Sequence, residues 1–344
     1  MTTTPATPPV LALPGVTPAL ANRLQDGLER VEALLRQVVD HDDPLIAEAS
    51  AHLTLAGGKR VRPLLTLLAA ELGPAGGAPA SDDVVAAAAG VELTHLASLY
   101  HDDVMDEASV RRGVASANAR YDNSTAILVG DLLFGKASEI VADLGPEAVR
   151  IQARTFVRLC SGQIRDDRPA PAGADPVGYY LGVLADKTGA LIATAARYGA
   201  MFGGADERTV SLLTSYGERL GVAFQLADDL IDVASDAEES GKVPGTDLRE
   251  GKATLPVLHA LATTDEGSGR LRALLDPARH EDLRDPALLD EALRLLRAHP
   301  ALEQAHRDTQ EVGREAAALL DGLPESDART ALQTLVISVT DRVG

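Results

Sequence analysis

Three features of this chain predict an all-α fold. Hydrophobic residues make up 45% of it, with Ala and Leu abundant, while only 3% are aromatic and none is Trp. Helices packed on helices use that composition, whereas a sheet wants Val, Ile, Tyr and Phe. Apolar residues also recur at three- and four-residue steps, as at Val85, Ala89, Leu93, Leu96 and Tyr100, which lines one face of a helix. Finally, the Gly- and Pro-rich breaks at 73–83, 168–176, 202–206 and 240–252 are short. They punctuate helices without forming a linker.

Taken in order, residues 1–16 are rich in Thr and Pro and are expected to be a disordered leader. Helical segments are expected over 17–40, 44–70, 84–100, 116–142, 147–165, 176–202, 207–236 and 253–263, with others beyond 285. No period of roughly 20 to 50 residues repeats. The expectation is one domain over 17–344, a bundle of many helices.

Charge and cysteine content narrow the function. A net charge of −19 argues against a nucleic acid as partner. It leaves room for a small anionic substrate, because a local cationic patch or a bound metal reverses the field. The single cysteine, Cys160, excludes an internal disulfide, fits a reducing compartment and is expected in the core. The N-terminus lacks the basic start and apolar core of a signal peptide. No uncharged apolar stretch reaches the roughly 18 residues of a membrane span. The chain is therefore expected to be soluble and cytoplasmic, without a transmembrane segment.

Two short stretches carry chemistry. In "HDDVMD" Asp102, Asp103 and Asp106 lie at i, i+1 and i+4, and in "QLADDLID" Asp228, Asp229 and Asp232 repeat that spacing. The first and third acids of each triplet differ by only about 40° around a helix axis, so their carboxylates converge and repel. A hard divalent cation relieves that repulsion; Mg²⁺ typically takes one or two carboxylates plus substrate phosphate oxygens. A solvated acidic face is the competing explanation, and the chain supplies controls. The pairs Asp42-Asp43, Asp82-Asp83 and Asp166-Asp167 are followed at the third position by Ile46, Ala86 and Ala170, so they do not complete the pattern.

Lysine is rare here. Of 32 basic residues five are Lys, at positions 59, 136, 187, 242 and 252, and the other 27 are Arg. Lys136 reads as surface charge. Lys59 in "GGKRVRP", Lys187 in "DKTG", Lys242 in "SGKVPG" and Lys252 in "EGKATLP" stand beside Gly or Thr near helix ends, where a compact ammonium can approach a phosphate. They do not form a nucleotide site: "GTDLREGKA" misses the P-loop spacing, and G-x-G-x-x-G is absent.

Acids for Mg²⁺ and cations for phosphate on an apolar helical scaffold imply a substrate with a diphosphate head and a greasy tail. On these motifs, "GGKRVRP", "HDDVMDEASVRRG", "GD" at 130–131, "DKTG", "QLADDLID" and "GTDLREGKATLP" in that order, the chain resembles the trans-isoprenyl diphosphate synthases of the polyprenyl synthetase family, in particular bacterial medium- and long-chain synthases. The resemblance covers nearly all of 17–344; the loop after Gln163 is less typical. It implies an antiparallel helical bundle around a deep central cavity, the isoprenoid synthase type, and a homodimer. It also implies three Mg²⁺ ions and the head-to-tail condensation of isopentenyl diphosphate with an allylic diphosphate.

The same resemblance assigns roles. Asp102 and Asp106 would hold two ions and Asp228 the third, with Asp103, Asp229 and Asp232 close by or in support. Arg111, Lys187 and Lys242 would pair with the allylic diphosphate, with Lys252 a further substrate cation. Thr188 and Gln225 would stabilise the allylic cation. Lys59, Arg62, His95 and Arg112 would hold isopentenyl diphosphate. A terpene cyclase or a non-catalytic partner subunit is a rival, but the first needs no second diphosphate site and the second could afford to lose its triplets. Ala97 and Ser98, about one turn before Asp102, with Thr94 and Gly90 behind, are small. They suggest an open cavity floor and a product of about C30 to C50 rather than a C15 or C20 chain; tight helix packing would also call for small residues. For a dimer interface, the Ala-rich segments 84–100 and 116–142 are the candidates.

The scarcity of lysine yields one prediction. Lys187→Arg and Lys242→Arg keep the charge yet are expected to lower turnover markedly, because an Arg-rich chain had a ready substitute. Unchanged steady-state constants in both variants would reduce these lysines to surface charge.

Overall fold

Thr17 opens the first helix. Its hydroxyl accepts the Leu20 N–H, and Pro18 takes the first turn, where a missing N–H costs nothing. The structure, a computed structural model, describes residues 16–166, 168–234, 244–264, 266–276 and 282–341. Lys242 and all but the last residue of the expected leader lie outside the described residues. The chain forms α1 (Pro18–Val39), α2 (Pro44–Leu55), α3 (Val61–Ala70), α4 (Asp82–Met105), α5 (Ala117–Arg120), α6 (Asn123–Asp143), α7 (Pro146–Asp166), α8 (Pro176–Leu184), α9 (Ala190–Phe202) and α10 (Glu207–Ala234). Further helices span Thr246–Arg249, Leu255–Ala262, Gly269–Leu275, Pro286–Arg297, Pro300–Leu319 and Asp327–Thr340. Among the described residues the only strands are β1 (Val110–Arg111) and β2 (Val114–Ala115), an antiparallel pair. The all-α expectation holds.

Three expected helices are interrupted, each for a local reason. The segment 44–70 breaks because Gly57, Gly58 and Arg60 take φ of 88°, 154° and 48°, a turn no α-helix accommodates. Segment 116–142 breaks at Asp122, whose side chain caps α6 by accepting the Thr125 N–H at 2.8 Å. Segment 176–202 carries a π-helical turn over Ala185–Gly189.

The chain divides into two compact units. One comprises the chain to Val157 with Leu191–Gly217 and Leu319–Thr334; the other comprises Arg158–Ala190, Glu218–Ala318 and Leu335 onward. The core of the first includes Val31, Leu35, Leu53, Leu93, Leu96, Tyr100 and Leu133. Here α4 runs against α6 closely enough that a Cβ on Gly130 would stand 3.2 Å from the Ala97 carbonyl oxygen and 2.3 Å from the His101 ring. The buried Tyr100 hydroxyl donates to Ala49 O at 2.5 Å and accepts the Leu53 N–H at 3.2 Å, so it brings no unpaired polar group inside. The second unit gathers Leu248, Val257, Leu271, Leu274 and Leu296.

Two expectations are corrected. Cys160 is exposed; it shares a face of α7 with Ile164, one turn on and also exposed, so this apolar side of the helix is not core. The Ala-rich helix over 84–100 is largely buried within its own unit, because α6 covers it. It is therefore not free to form an interface. In the other candidate segment, 116–142, α6 does expose large apolar side chains (Ile127, Leu128), and α7 beyond it does too (Val149, Phe156, Val157). No helix among the described residues is long and apolar enough to cross a membrane.

Candidate active site

In the first unit the C-terminal turn of α4 delivers the acids. Asp102 is half-buried, Asp106 is exposed, and Asp103 between them is fully buried. The β1–β2 hairpin folds back beside this turn through Arg112 and Gly113, both at positive φ (52° and 78°), the geometry of a tight two-residue connection. That turn aims two arginines differently. Arg111 Nε donates to Asp103 Oδ1 at 2.6 Å, and a second nitrogen reaches Asp106 Oδ2 at 3.4 Å. Asp103 Oδ2 also accepts the Ala117 N–H at 3.0 Å, so both its oxygens are committed to holding the hairpin.

Arg112 turns toward the glycine turn before α3. Its guanidinium donates to Leu53 O at 3.2 Å and Gly57 O at 2.5 Å, and a side chain on Gly58 would press on it at 3.1 Å. Arg60 is buried there, donating to Glu92 at 2.9 Å, to Thr54 O at 2.8 Å and to Glu32. Arg62 heads α3 with its Nε buried and without a hydrogen-bond partner. Burial, with Arg112 acting in the same direction, lowers the Arg62 pKa to about 10 despite Glu92. Arg112 is lowered by burial, and by Arg60 and Arg111, against the pull of Glu92 and Glu32. His95 is depressed well below the usual histidine range by burial and by the guanidiniums of Arg62, Arg112, Arg60 and Arg111, so it is neutral at pH 7. Lys59 is exposed on the same turn. The cations outnumber their local acids, and Arg62 holds a donor in reserve: this cluster suits a polyanion such as a diphosphate.

In the second unit α10 carries the other triplet. Asp228 and Asp232 are half-buried, while Asp229 is 5% exposed. Asp229 accepts the Tyr180 hydroxyl and the Gln225 amide, the latter at 3.2 Å. Burial, then the nearby Asp247 and Asp228, raise its pKa to about 7 although Tyr180 and Gln225 act the other way. Asp232 accepts the N–H groups of Thr246 and Asp247 at 3.1 and 3.0 Å. Asp247 is itself raised to about 6, by burial and then by Asp232. Thr188 donates to Gln225 Oε1 at 3.3 Å, so one amide ties the DKTG turn to the triplet. Lys187 Nζ donates to Asp166 at 2.6 Å. Lys252 is turned to Glu250 at 2.9 Å; burial opposes its charge, yet Glu250, Asp166 and Asp247 hold its pKa above the ordinary lysine value.

The donor set fits Mg²⁺. Each triplet presents only carboxylate oxygens, with its first and third acids near one helix face and at least partly exposed, although Asp232 also accepts two backbone N–H groups. Among the described residues no three acidic, His or Cys side chains are placed to hold a metal ion on their own; Mg²⁺ typically takes one or two carboxylates and completes its shell with water and substrate oxygens. The motifs did not single out Arg60, Glu92, Tyr180 or Asp247. Glu92 carried a signal, as the one acid in an otherwise apolar run from Val84 to Val91 and on to Leu93; Tyr180 carried none.

A family model described as "Polyprenyl synthetase" matches residues 43–293. The chain is 46% identical over 324 residues to a nonaprenyl diphosphate synthase of Mycobacterium tuberculosis, covering 94% of this chain and 95% of that one. It is 36% identical to heptaprenyl diphosphate synthase component 2 of Geobacillus stearothermophilus, covering 94% and 98%. Among solved structures, a geranylgeranyl pyrophosphate synthase from Corynebacterium glutamicum complexed with calcium and isoprenyl diphosphate superposes with a TM-score of 0.84. That pair shares 41% identity over 95% of this chain and 98% of the other.

The raised pKa of Asp229 has a testable sign. An acid that binds its proton more tightly when folded stabilises the fold below its unfolded pKa, and that contribution is lost as pH rises through the folded value. In chelator, stability is therefore expected to fall from pH 4 to above 7, by as much as a few kcal/mol from this group. Asp229→Asn should flatten that part of the profile. Thermal melts of the two proteins with identical pH dependence would contradict it.

Proposed function

The chain belongs to the polyprenyl synthetase family, and we propose that it is the prenyltransferase that condenses isopentenyl diphosphate with an allylic diphosphate into a trans-polyprenyl diphosphate. The observation that carries the reading is the pairing of two oxygen-only acid triplets with a separate arginine cluster that holds an unpartnered buried donor at Arg62. A terpene cyclase would have no use for that second anion site.

Asp102 on α4, Asp106 at its C-cap, and Asp228 on α10 would hold Mg²⁺, three ions in all. Bound there, Mg²⁺ supplies Lewis-acid stabilisation of the departing pyrophosphate. Lys187, Arg111, Lys242 and Lys252 add positive charge for the allylic diphosphate; Lys187 must leave Asp166 and Arg111 must share itself with Asp103 to do so. Thr188 and Gln225, joined to each other, present neutral oxygens that steady an allylic cation without attacking it. Arg62, Arg112 and Lys59 grip isopentenyl diphosphate. A neutral His95 can accept or donate one hydrogen bond there without adding to the crowd of cations. The alkene then attacks, and the released pyrophosphate takes the proton.

Incubation of the pure protein with an allylic diphosphate, with and without isopentenyl diphosphate, tests the reading. Turnover should need both substrates and a divalent ion, and Asp102→Ala or Asp228→Ala should cost most of the rate. A product from the allylic substrate alone would make it a cyclase; no turnover with both would make it a partner subunit. Full activity in excess chelator would end the metal mechanism.

The nonaprenyl and heptaprenyl relatives support a medium or long product, about C30 to C50; the likeness to the geranylgeranyl enzyme supports the shorter alternative. Ala97 is fully buried in the core shared with α6, whereas Ser98 is half-exposed, so Ser98 is the better lever on chain length. Ser98→Phe is expected to shorten products in mass spectra, while Ala97→Phe is expected chiefly to destabilise. A wild-type enzyme that already stops at C20 would refute the open floor.

The homodimer would pair the exposed apolar faces of α6 and α7 around Leu128 and Val157, 66% and 65% exposed, since a patch of that kind marks an interaction site. Sedimentation at micromolar concentration should give a dimer, and Leu128→Glu with Val157→Glu should give monomers. A wild-type monomer would remove this part of the reading.

A further inference from the structure

Lys187 and Thr188 sit in the π-helical turn Ala185–Gly189, a wide turn inside a helical run from Pro176 to Phe202. Such turns are rare and concentrate at functional sites, so this one needs a holder. One face of α7 provides it. Arg158, Gly162, Arg165 and Asp166 follow at four-, three- and one-residue steps, and the first three share a stripe of the helix.

Arg158 Nε donates to Asp186 Oδ1 at 2.8 Å, and Arg165 donates to Asp186 Oδ2 at 3.0 Å. Both oxygens of Asp186 are therefore gripped from α7. Arg158 also donates to Ala185 O at 3.3 Å and to Glu218 at 2.9 Å, which fixes the grip itself. Asp166, the residue after Arg165, receives the Lys187 ammonium at 2.6 Å.

Between the two arginines α7 shows bare backbone. A Cβ on Gly162 would stand 2.4 Å from the Lys187 backbone nitrogen, 2.8 Å from its Cα and 2.9 Å from the Asp186 carbonyl carbon. All three are main-chain atoms, which cannot swing aside like the tip of a side chain. Gly162 also lies within a 21-residue helix, about one turn before its end, where glycine is a poor choice on propensity. The close approach supplies the reason for it.

We propose that Gly162 is a positioning residue: its missing side chain lets α7 bear directly on the π-turn, and that contact sets where Lys187 points. The inference rests on the reading above that Lys187 binds the allylic diphosphate. A methyl group at position 162 would push the Lys187 backbone away by the better part of an ångström while leaving the arginine cluster of α3 and the hairpin untouched. The effect should therefore fall on turnover and on the allylic substrate, and not on isopentenyl diphosphate.

The test is a double-mutant cycle in the full-length enzyme with Gly162→Ala, Lys187→Ala and the pair. Gly269→Ala, whose new methyl would meet nothing within 4 Å, is the control. Gly162→Ala is expected to lower kcat about tenfold or more, with the KM for isopentenyl diphosphate unchanged and the circular dichroism intact. In the Lys187→Ala background the same change should cost less than about threefold, since contacting groups couple. If Lys187→Ala is impaired while Gly162→Ala keeps wild-type kcat, the inference falls and the reading of Lys187 stands. An undiminished loss in the Lys187→Ala background would also overturn it. A Lys187→Ala enzyme with wild-type kinetics would overturn both. Should Gly162→Ala fail to fold, Arg165→Gln removes one jaw of the clamp without adding an atom. A loss of kcat in Arg165→Gln that vanishes in the Lys187→Ala background then supports the inference, and wild-type kcat overturns it.

Discussion

The buried ion pair of Arg60 with Glu92 is what the cationic half of the site depends on. The two side chains are 8% and 2% exposed and meet at 2.9 Å, with Glu32 and the Thr54 carbonyl completing the guanidinium's partners. Breaking such a pair from one side costs on the order of 3–5 kcal/mol, because the remaining charge is left buried. The pair is therefore a weak argument for stability but a strong one for placement. Glu92 is the acid that also moderates Arg62 and Arg112. Without it, Arg60, Arg62 and Arg112 would have to share the same ground with Glu32 as their main counter-charge. With it, the cluster keeps an excess of positive charge small enough to fold and large enough to want an anion.

The acidic stretches solve the mirror problem. Carboxylates gathered on a helix face repel until a cation arrives, and in its absence each unit lends an internal partner. Arg111 serves Asp103 and Asp106. Tyr180 and the Gln225 amide serve Asp229, and the backbone N–H groups of Thr246 and Asp247 serve Asp232. Lys187 is neutralised by Asp166 in the same manner. On the proposed function these partners would be exchanged: diphosphate oxygens would replace Asp166, and a metal would replace the reach of Arg111 to Asp106 at 3.4 Å. In each unit the charges are thus already balanced by internal partners, so a ligand bound as proposed would swap partners instead of creating charge.

What was legible in the sequence follows from which physics is local. The triplets, the Gly-flanked lysines and the helical periodicity each depend on neighbours within a turn or two, and spacing alone displays them. The break at 56–60 was only half legible: the pair Gly57-Gly58 is a turn signal, but Arg60 taking φ of 48° is something no propensity assigns to an arginine. The exposure of Cys160 was missed because an apolar residue on a helix says nothing of which face is covered. Arg60 and Glu92 pair across 32 residues and Tyr180 and Asp229 across 49, distances at which one sequence carries no pairing signal. The π-turn at 185–189 was equally hidden, since the backbone it packs against, at Gly162, lies on another helix.

The i, i+1, i+4 spacing itself finds its explanation in the burial pattern. A metal on one helix face needs only the first and third acids, about 40° apart; the second stands about 100° from the first and cannot join them easily. In both triplets it is this middle acid that is buried, Asp103 at 0% and Asp229 at 5% exposed, and in both its oxygens are spent on internal donors. Asp103 clamps the hairpin that carries Arg111 and Arg112; Asp229 clamps Tyr180 of α8 and the Gln225 amide that receives Thr188. The middle carboxylate is thus the joint that ties the helix face of the outer acids to the neighbouring segments, which on the proposed function supply cations and neutral donors. Replacing it by a residue of the same shape but without charge would leave the outer acids in place and loosen what surrounds them, which separates its role from theirs.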